Sequence, residues 1–536
     1  MNKNARALHR TFYDPEIILN RCIKKVPKQI RVSFVFTFIF AFVVHMYMFT
    51  NKFPNHDDIG HLFGSEYGAA SGRWLLPYVL KIHGTFSMPW VIGTLSALFL
   101  AVSAAIIVAV MRIKRPSTAI IASALLVSFP AVTATFTYMF SADAYFFALL
   151  LACLAAFFTD RYRYGFLVGI AALTLSLGIY QSYFCVTSVL LLGALVLRTI
   201  ECKETAKSIM LRAAKCLVSL AGALFFYFII VKLTTRDIEL VDYMGISDMG
   251  SIELSKLPKL LHDAYWYYYQ FFIQNNTMAH FSFLKYAFIL TAAATVYLGI
   301  LLIKKNRLDR NRIFILILFV ILYPLAGDII FLMVPDGTVH ILMVYGIVCI
   351  LIAPLALSDT YYAALSCSST DTKASPKQIP YLDAACCWVI MLTMVLAVYG
   401  YAVFSNEVYM KMDLSYKQAY SYSTRLIGAI ESTEGYDINM PIVLLGDAVY
   451  GISYEPTPEL DRLELTGVAD MKALVNSYTY GYFLRRFLGV PNIVYANQSD
   501  IAKAYLENEE VIRMPDYPTD GSIKVLDEYI VVKLGG

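Results

Sequence analysis

The sequence predicts a mainly α-helical fold: a polytopic membrane bundle of about 11 transmembrane helices, followed by a small α/β domain at the C-terminal end. Three observations predict it. Hydrophobic residues make up 58% of the 536 positions and charged residues only 16%, against roughly 45–50% and about 25% in soluble domains; mean hydropathy is +0.59. Apolar runs long enough to cross a bilayer recur as far as residue 404. From residue 405 onward the composition changes, with 19 acidic against 11 basic residues. The apolar content excludes a soluble or disordered chain, and the scarcity of charge excludes a nucleic-acid-binding protein.

A membrane-spanning helix needs about 20 mostly apolar residues. Such runs fall at 32–50, 88–111, 117–137, 142–158, 165–179, 182–197, 214–233, 284–303, 313–333, 339–358 and 384–404; 142–158 and 165–179 are short. The first run lacks a cleavage signal and reads as a retained anchor. With residues 1–31 in the cytoplasm, the inner segments carry 25 Lys and Arg and the outer ones 8, so basic residues set the orientation. An odd number of helices then places the C-terminal domain outside. Three parts follow: a cytoplasmic segment 1–31, a transmembrane domain 32–404 with its first outer loop at 51–87, and an extracytoplasmic domain 405–536.

In that last domain Met440–Leu445 and Pro491–Tyr495 are short apolar runs that read as strands. Ser522–Val525 and Tyr529–Lys533 flank Leu526-Asp527-Glu528 and predict a hairpin. Leu474–Leu488 reads as a helix closing on Arg485-Arg486. Nine cysteines without a C-x-x-C pair argue against a disulfide framework or zinc site. No G-x-x-x-x-G-K-[ST] run is present, which argues against an ATP-driven pump.

Seven of the eight histidines lie on the outer side: 45, 56, 61, 83, 262, 280 and 340. Polar chemistry therefore concentrates there, and the first outer loop is the richest stretch. It reads Asn55-His56-Asp57-Asp58-Ile59-Gly60-His61 and continues to Ser71-Gly72-Arg73-Trp74-Leu75-Leu76-Pro77. Ile59, Leu62, Phe63, Tyr67 and Ala70 make an apolar stripe at helical spacing. Glycines at 60, 64, 68 and 72 make a bare ridge that permits close backbone approach. This predicts an interfacial helix with Asp57 and Asp58 at its N-terminus. Asp57 reads as an N-cap or as a general base, because a fixed carboxylate can take the proton of an attacking hydroxyl. The adjacent acids, with Asp143, are also the candidate ligands of a divalent cation, magnesium or manganese; no cofactor is otherwise indicated.

The spacing Asp57-Asp58, twelve residues, then Ser71-Gly72-Arg73-Trp74-Leu75-Leu76-Pro77 resembles the first-loop pattern of GT-C membrane glycosyltransferases, which use polyprenyl-phosphate sugars. With Gly178-Ile179-Tyr180-Gln181-Ser182-Tyr183 and the ending Gly521-Ser522-Ile523…Val531-Val532-Lys533-Leu534, the chain most resembles the bacterial GtrII-like glucosyltransferases. The resemblance implies a multi-pass enzyme of the bacterial inner membrane. It would transfer a hexose, glucose in this family, from a polyprenyl-phosphate donor to an outer-face polysaccharide or lipid-linked glycan, with inversion. Asp57 then matches the catalytic base and Asp58 the acid beside it. The family's arginine between the ninth and tenth helices is replaced by Val334-Pro335-Asp336-Gly337-Thr338-Val339-His340.

A departing lipid phosphate needs positive charge or hydrogen-bond donors. Arg73, Lys81, His83 and His340 are the candidates, Arg73 having the bidentate geometry. His61, Asp143, Gln181, Tyr265 and Trp266 are candidate substrate contacts; the simpler readings are an N-cap for Asp143, a helix turn for Gln181 and an interfacial aromatic belt for Tyr265 and Trp266. Expected partners are the lipid-linked donor, a glycan acceptor and membrane lipid, and no nucleic acid. A glycan or lipid transporter without catalysis is the alternative, weakened by the near absence of charge at the helix centres. A scaffolding protein with an acidic outer domain is the second alternative.

Overall fold

The computed structural model describes residues 14–63, 71–235, 255–274, 281–335, 337–366, 380–446, 460, 462–495 and 499–535. Ten of its helices are long and apolar enough to cross a membrane, so the chain is a multi-pass membrane protein. The helices used below are α1 (Lys28–Thr50), α2 (His56–Gly60), α3 (Pro89–Val110), α4 (Pro116–Ser128), α5 (Pro130–Thr137), α6 (Ala142–Arg161), α7 (Gly165–Leu177), α8 (Phe184–Glu201), α9 (Ala206–Thr234), α10 (Leu257–Tyr269), α11 (Leu284–Lys305), α12 (Arg310–Gly327), α13 (Val348–Ser366), α14 (Tyr381–Glu431) and α15 (Tyr480–Phe487). The run expected at 142–158 belongs to a helix of full length. The run at 165–179 is the 13-residue α7, about 20 Å long at 1.5 Å per residue; the chain turns back into α8 through Gln181–Tyr183.

Helices α4 and α5 form one span broken by Pro130, whose ring and missing N–H interrupt the ladder. They lie at the centre of the bundle together with α6 and α8, packed by α1, α3 and α14. Helices α9, α11 and α12 turn large apolar side chains outward, Leu211 and Phe314 being 73% and 71% exposed. Such a surface is stable only against lipid. Buried polar groups tie the centre together. His45 Nε2–H donates to the Val127 carbonyl at 3.0 Å, so Nδ1 accepts from the Tyr409 hydroxyl at 2.7 Å. One imidazole thereby joins α1, α4 and α14.

Helix α14 is 51 residues long and runs through position 404/405 without a break. Its residues up to Met412 pack in the bundle core, and those from Ala419 pack in the core of the C-terminal domain. That domain holds four strands, β1 (Ile442–Gly446), β2 (Ile493–Tyr495), β3 (Ile523–Leu526) and β4 (Tyr529–Gly535), in the order β2-β1-β4-β3. β1 runs parallel to β2 and β4, and β3–β4 is the expected antiparallel hairpin. The helix expected over 474–488 is divided. Asn476 accepts from the amides of Tyr478 and Thr479, a local turn that competes with helix, so only Met471–Leu474 and α15 are helical.

The long interfacial helix expected in the first loop is also corrected. α2 ends at Gly60 after five residues. Phe63 bridges Phe86 in extended backbone, and Gly72 has φ +72°; Tyr67 and Ala70 lie outside the described residues. Among the described residues the stripe is split, with Ile59 in α2 and Phe63 in extended backbone beyond its end.

The segment 463–468 of the C-terminal domain packs on the bundle. Thr137 Oγ1 donates to the Thr466 carbonyl at 3.0 Å. Gly467, at φ +85°, leaves no room for a side chain: a Cβ there would sit 2.0 Å from Thr137 Oγ1. Replacement of Gly467 by Ala is expected to cost about 1–3 kcal/mol through overpacking and backbone strain. A lowered melting temperature of the detergent-purified protein, with insertion unchanged, is the check.

Candidate active site

The first loop starts directly from α1. Asn55 is the N-cap of α2, its side chain accepting from the Asp58 amide at 2.7 Å, which is the standard satisfaction of an orphan helix donor. The expected N-cap role of Asp57 therefore belongs to Asn55. The two acids then part company. Asp58 is 0% exposed. Its oxygens accept from Lys52 Nζ at 2.8 and 2.7 Å, and Oδ1 also accepts from Ser87 Oγ at 2.9 Å. Lys52 Nζ donates in turn to Ser87 Oγ at 2.7 Å. Asp57, one residue earlier and so about 100° around the helix, is turned outward. Its side chain is 31% exposed, with His56 Nε2 3.6 Å away.

The segment 138–145 faces this loop. His61 stacks on Phe140 with ring centres 4.9 Å apart, and His56 meets the edge of Tyr138 at 6.4 Å. His83 Nδ1–H donates to Asp143 Oδ2 at 2.9 Å, both side chains being almost wholly buried. Asp143 lies in the first turn of α6, where Ser141 is the N-cap. Arg73 donates to the Tyr145 hydroxyl at 3.0 Å and lies 5.3 Å from the centre of the Tyr180 ring. It is thus turned inward onto two tyrosines stacked on each other at 4.5 Å, a cation–π setting, and not spread along a membrane interface. His56, His61, Arg73 and His83, from the loop that also carries Asp57 and Asp58, therefore all meet the segment that carries Asp143.

The two sequence motifs meet here. The Leu75 amide donates to the Gly178 carbonyl at 2.8 Å. A Cβ on Gly178 would lie 2.5 Å from the Trp74 ring, so only glycine lets the indole approach. Gln181 Nε2 donates to the Ser71 carbonyl and to the Tyr227 hydroxyl, each at 3.0 Å, and Tyr227 donates to the Gly72 carbonyl at 3.3 Å. Gln181 is 7% exposed; its amide nitrogen holds the Ser-Gly turn.

The remaining candidates lie apart. Lys81 is exposed, 6.0 Å from the Tyr78 ring centre. Tyr265 donates to the Ile321 carbonyl at 2.7 Å, and Trp266 stacks with His262 and Tyr269; both pin or decorate α10 along α12. His340 lines a cavity of about 440 Å³ at the seam with the C-terminal domain, together with Tyr267, Lys411, Glu464 and Thr466. Burial lowers its pKa. Lys411 was not indicated by the sequence, where it is one basic residue in a long helix. Arg486 was visible only as a helix end.

The expected cation site is not assembled. Asp58 is saturated by Lys52 and Ser87, and Asp143 accepts from His83 and from the Ala144 amide. Among the described residues, no three His, Cys, Asp or Glu side chains form a group that could hold a metal ion.

A helical membrane protein holds a partly exposed carboxylate at the start of a short loop helix, and the sequence comparison makes the class definite. The family model of glucosyl transferase GtrII matches residues 46–351, more than half of the chain. The protein belongs to that family and is a glycosyltransferase, which displaces the transporter and scaffold readings. No curated protein and no solved structure matches the chain.

Removal of the Asp58 charge leaves Lys52 without its partner. Asp58→Asn is expected to cost about 2–3 kcal/mol, below the ~3–5 kcal/mol of a fully buried pair because Lys52 keeps some water contact. Asp57→Asn is expected to stay within about 0.5 kcal/mol of the parent; melting temperatures of the two variants check both. Burial also lowers the pKa of His61, against the opposing charges of Asp57 and Asp58. A histidine kept neutral in the fold takes up a proton more readily when unfolded, so stability falls as pH drops below the ordinary value of about 6.5. His61→Phe keeps the ring stack and is expected to shrink the loss of melting temperature between about pH 7 and pH 5.

Proposed function

We propose that this glucosyltransferase moves a hexose, glucose by its family, from a polyprenyl-phosphate donor to a glycan at the extracytoplasmic face of the bacterial inner membrane, with Asp57 as general base. The observation that carries the reading is the division of labour in the acidic pair. Asp58 is consumed by Lys52 and Ser87, whereas Asp57 keeps a solvent-facing carboxylate on a backbone fixed from both sides. The excess of basic residues in the inner segments supports the orientation, N-terminus in the cytoplasm and C-terminal domain outside. Nucleotide sugars do not reach that face, so the activated sugar arrives on a lipid.

In the reaction the Asp57 carboxylate takes the proton of an acceptor hydroxyl as its oxygen attacks the anomeric carbon. The bond from that carbon to the phosphate oxygen breaks on the opposite side, its electron pair leaves with the lipid phosphate, and the configuration inverts. The phosphate is a fair leaving group, so the site must supply positive charge more than a strong acid. Lys81 is exposed in the same loop, and His340 with Lys411 flanks the cavity at the domain seam. His83, oriented by Asp143, and Arg73, seated on Tyr145 and Tyr180, fix the loop against the segment 138–145. An apolar cavity of about 420 Å³ between α8, α11, α12 and α13, lined by Gly193, Gly299, Leu316 and Tyr323, suits an isoprenoid chain. The C-terminal domain contributes Glu464 and Thr466 to the acceptor side. The three expected acids do not fit a metal ion between them, because Asp58 and Asp143 are taken up by other partners.

Asp57→Asn is expected to lower transfer of labelled glucose at least 100-fold with normal membrane insertion. Unchanged transfer would reject the assignment.

A further inference from the structure

We propose that Arg486, in the C-terminal domain, is a positioning residue for Asp57, so that this domain completes the catalytic site in addition to meeting the acceptor. The inference rests on the reading of Asp57 as base. It begins with the length of α2. Five residues make less than two turns, and so short a helix has no stability of its own. Its N-terminal end is held by Asn55 and by the Asp58–Lys52 pair. Its C-terminal end leaves carbonyls without intrahelical donors.

Arg486 supplies them. Its Nη1 donates to the Ile59 carbonyl at 3.0 Å and also to the Gly60 carbonyl. A cation at this end also meets the negative pole of the peptide dipoles. The guanidinium is oriented by two rings, Tyr482 at 4.9 Å and Phe63 at 5.8 Å. Between the clamped carbonyls lies the second hold. Ile59 is 0% exposed and belongs to the core of the C-terminal domain, with Tyr422, Leu474, Phe483 and Leu484. The loop that carries Asp57 is thus plugged into a domain 427 residues further along the chain. Arg486 also lies beyond residue 351, where the family match ends. The clamp comes from a part of the chain that the family model does not cover.

A displacement of about 1 Å of a catalytic group can cost on the order of 100-fold in rate, so loss of the clamp acts on turnover. The test uses full-length protein in membranes, with polyprenyl-phosphate-linked radiolabelled glucose as donor and the strain's own membrane glycan as acceptor. Arg486→Ala is expected to lower kcat about 30-fold, with donor KM within about twofold and little further loss when added to Asp57→Asn. Arg486→Lys, which can still donate to a carbonyl but lacks the planar fork, is expected to recover about half of that loss on a logarithmic scale. If Arg486→Ala does not insert or fold, Arg486→Lys alone decides. Full kcat in the Arg486 variants while Asp57→Asn is inactive overturns the clamp and leaves the base intact. A raised donor KM at unchanged kcat, or an undiminished Arg486 effect in the Asp57→Asn background, also overturns it. Full activity of Asp57→Asn rejects the base itself.

Discussion

The ion pair between Asp58 and Lys52 is the interaction on which the site depends. A carboxylate with no solvent exposure is tolerated only when its oxygens are satisfied, and here Lys52 and Ser87 satisfy them. Lys52 leaves the end of α1, and Ser87 leads into α3. The pair therefore fastens the loop to the two helices that bracket it. Once Asp58 points inward, the turn of the helix sends Asp57 outward, so the buried charge sets the direction of the exposed one.

The glycine-rich and tyrosine-rich motifs serve the same end. Ser71-Gly72-Arg73-Trp74 and Gly178-Ile179-Tyr180-Gln181 are about a hundred residues apart in the chain and form one assembly. Trp74 lies on Gly178, Gln181 holds the Ser71 carbonyl, and Arg73 sits on Tyr180. Each motif supplies what the other lacks: one offers bare backbone, the other offers a ring or a donor. Gln181 and Arg73 therefore act first on how the loop is held.

The C-terminal domain is joined to the bundle by more than a linker. α14 is continuous between the two cores, the segment around Gly467 packs on Thr137 and Tyr138, and Arg486 reaches the loop carbonyls. The first two of these contacts flank the cavity lined by His340 and Lys411. The cavity at this seam brings His340, Lys411, Glu464 and Thr466 together.

Much of this was legible in the sequence. Hydropathy marked the spanning helices, the short apolar runs near the C-terminal end marked the strands of the small sheet, and the spacing from Asp57-Asp58 to Ser71-Gly72-Arg73 pointed to the family. These are local properties, carried by composition and periodicity along one stretch of chain. Tertiary structure alone decided which aspartate is buried, that Asn55 and not Asp57 caps α2, that Gln181 holds a turn, that Asp143 belongs to His83, that Lys411 lines the cavity at the domain seam and that Arg486 reaches the loop carbonyls. The partners in those contacts come from distant elements. A side chain's role there depends on which polar groups the packing leaves without water, and no local pattern encodes that.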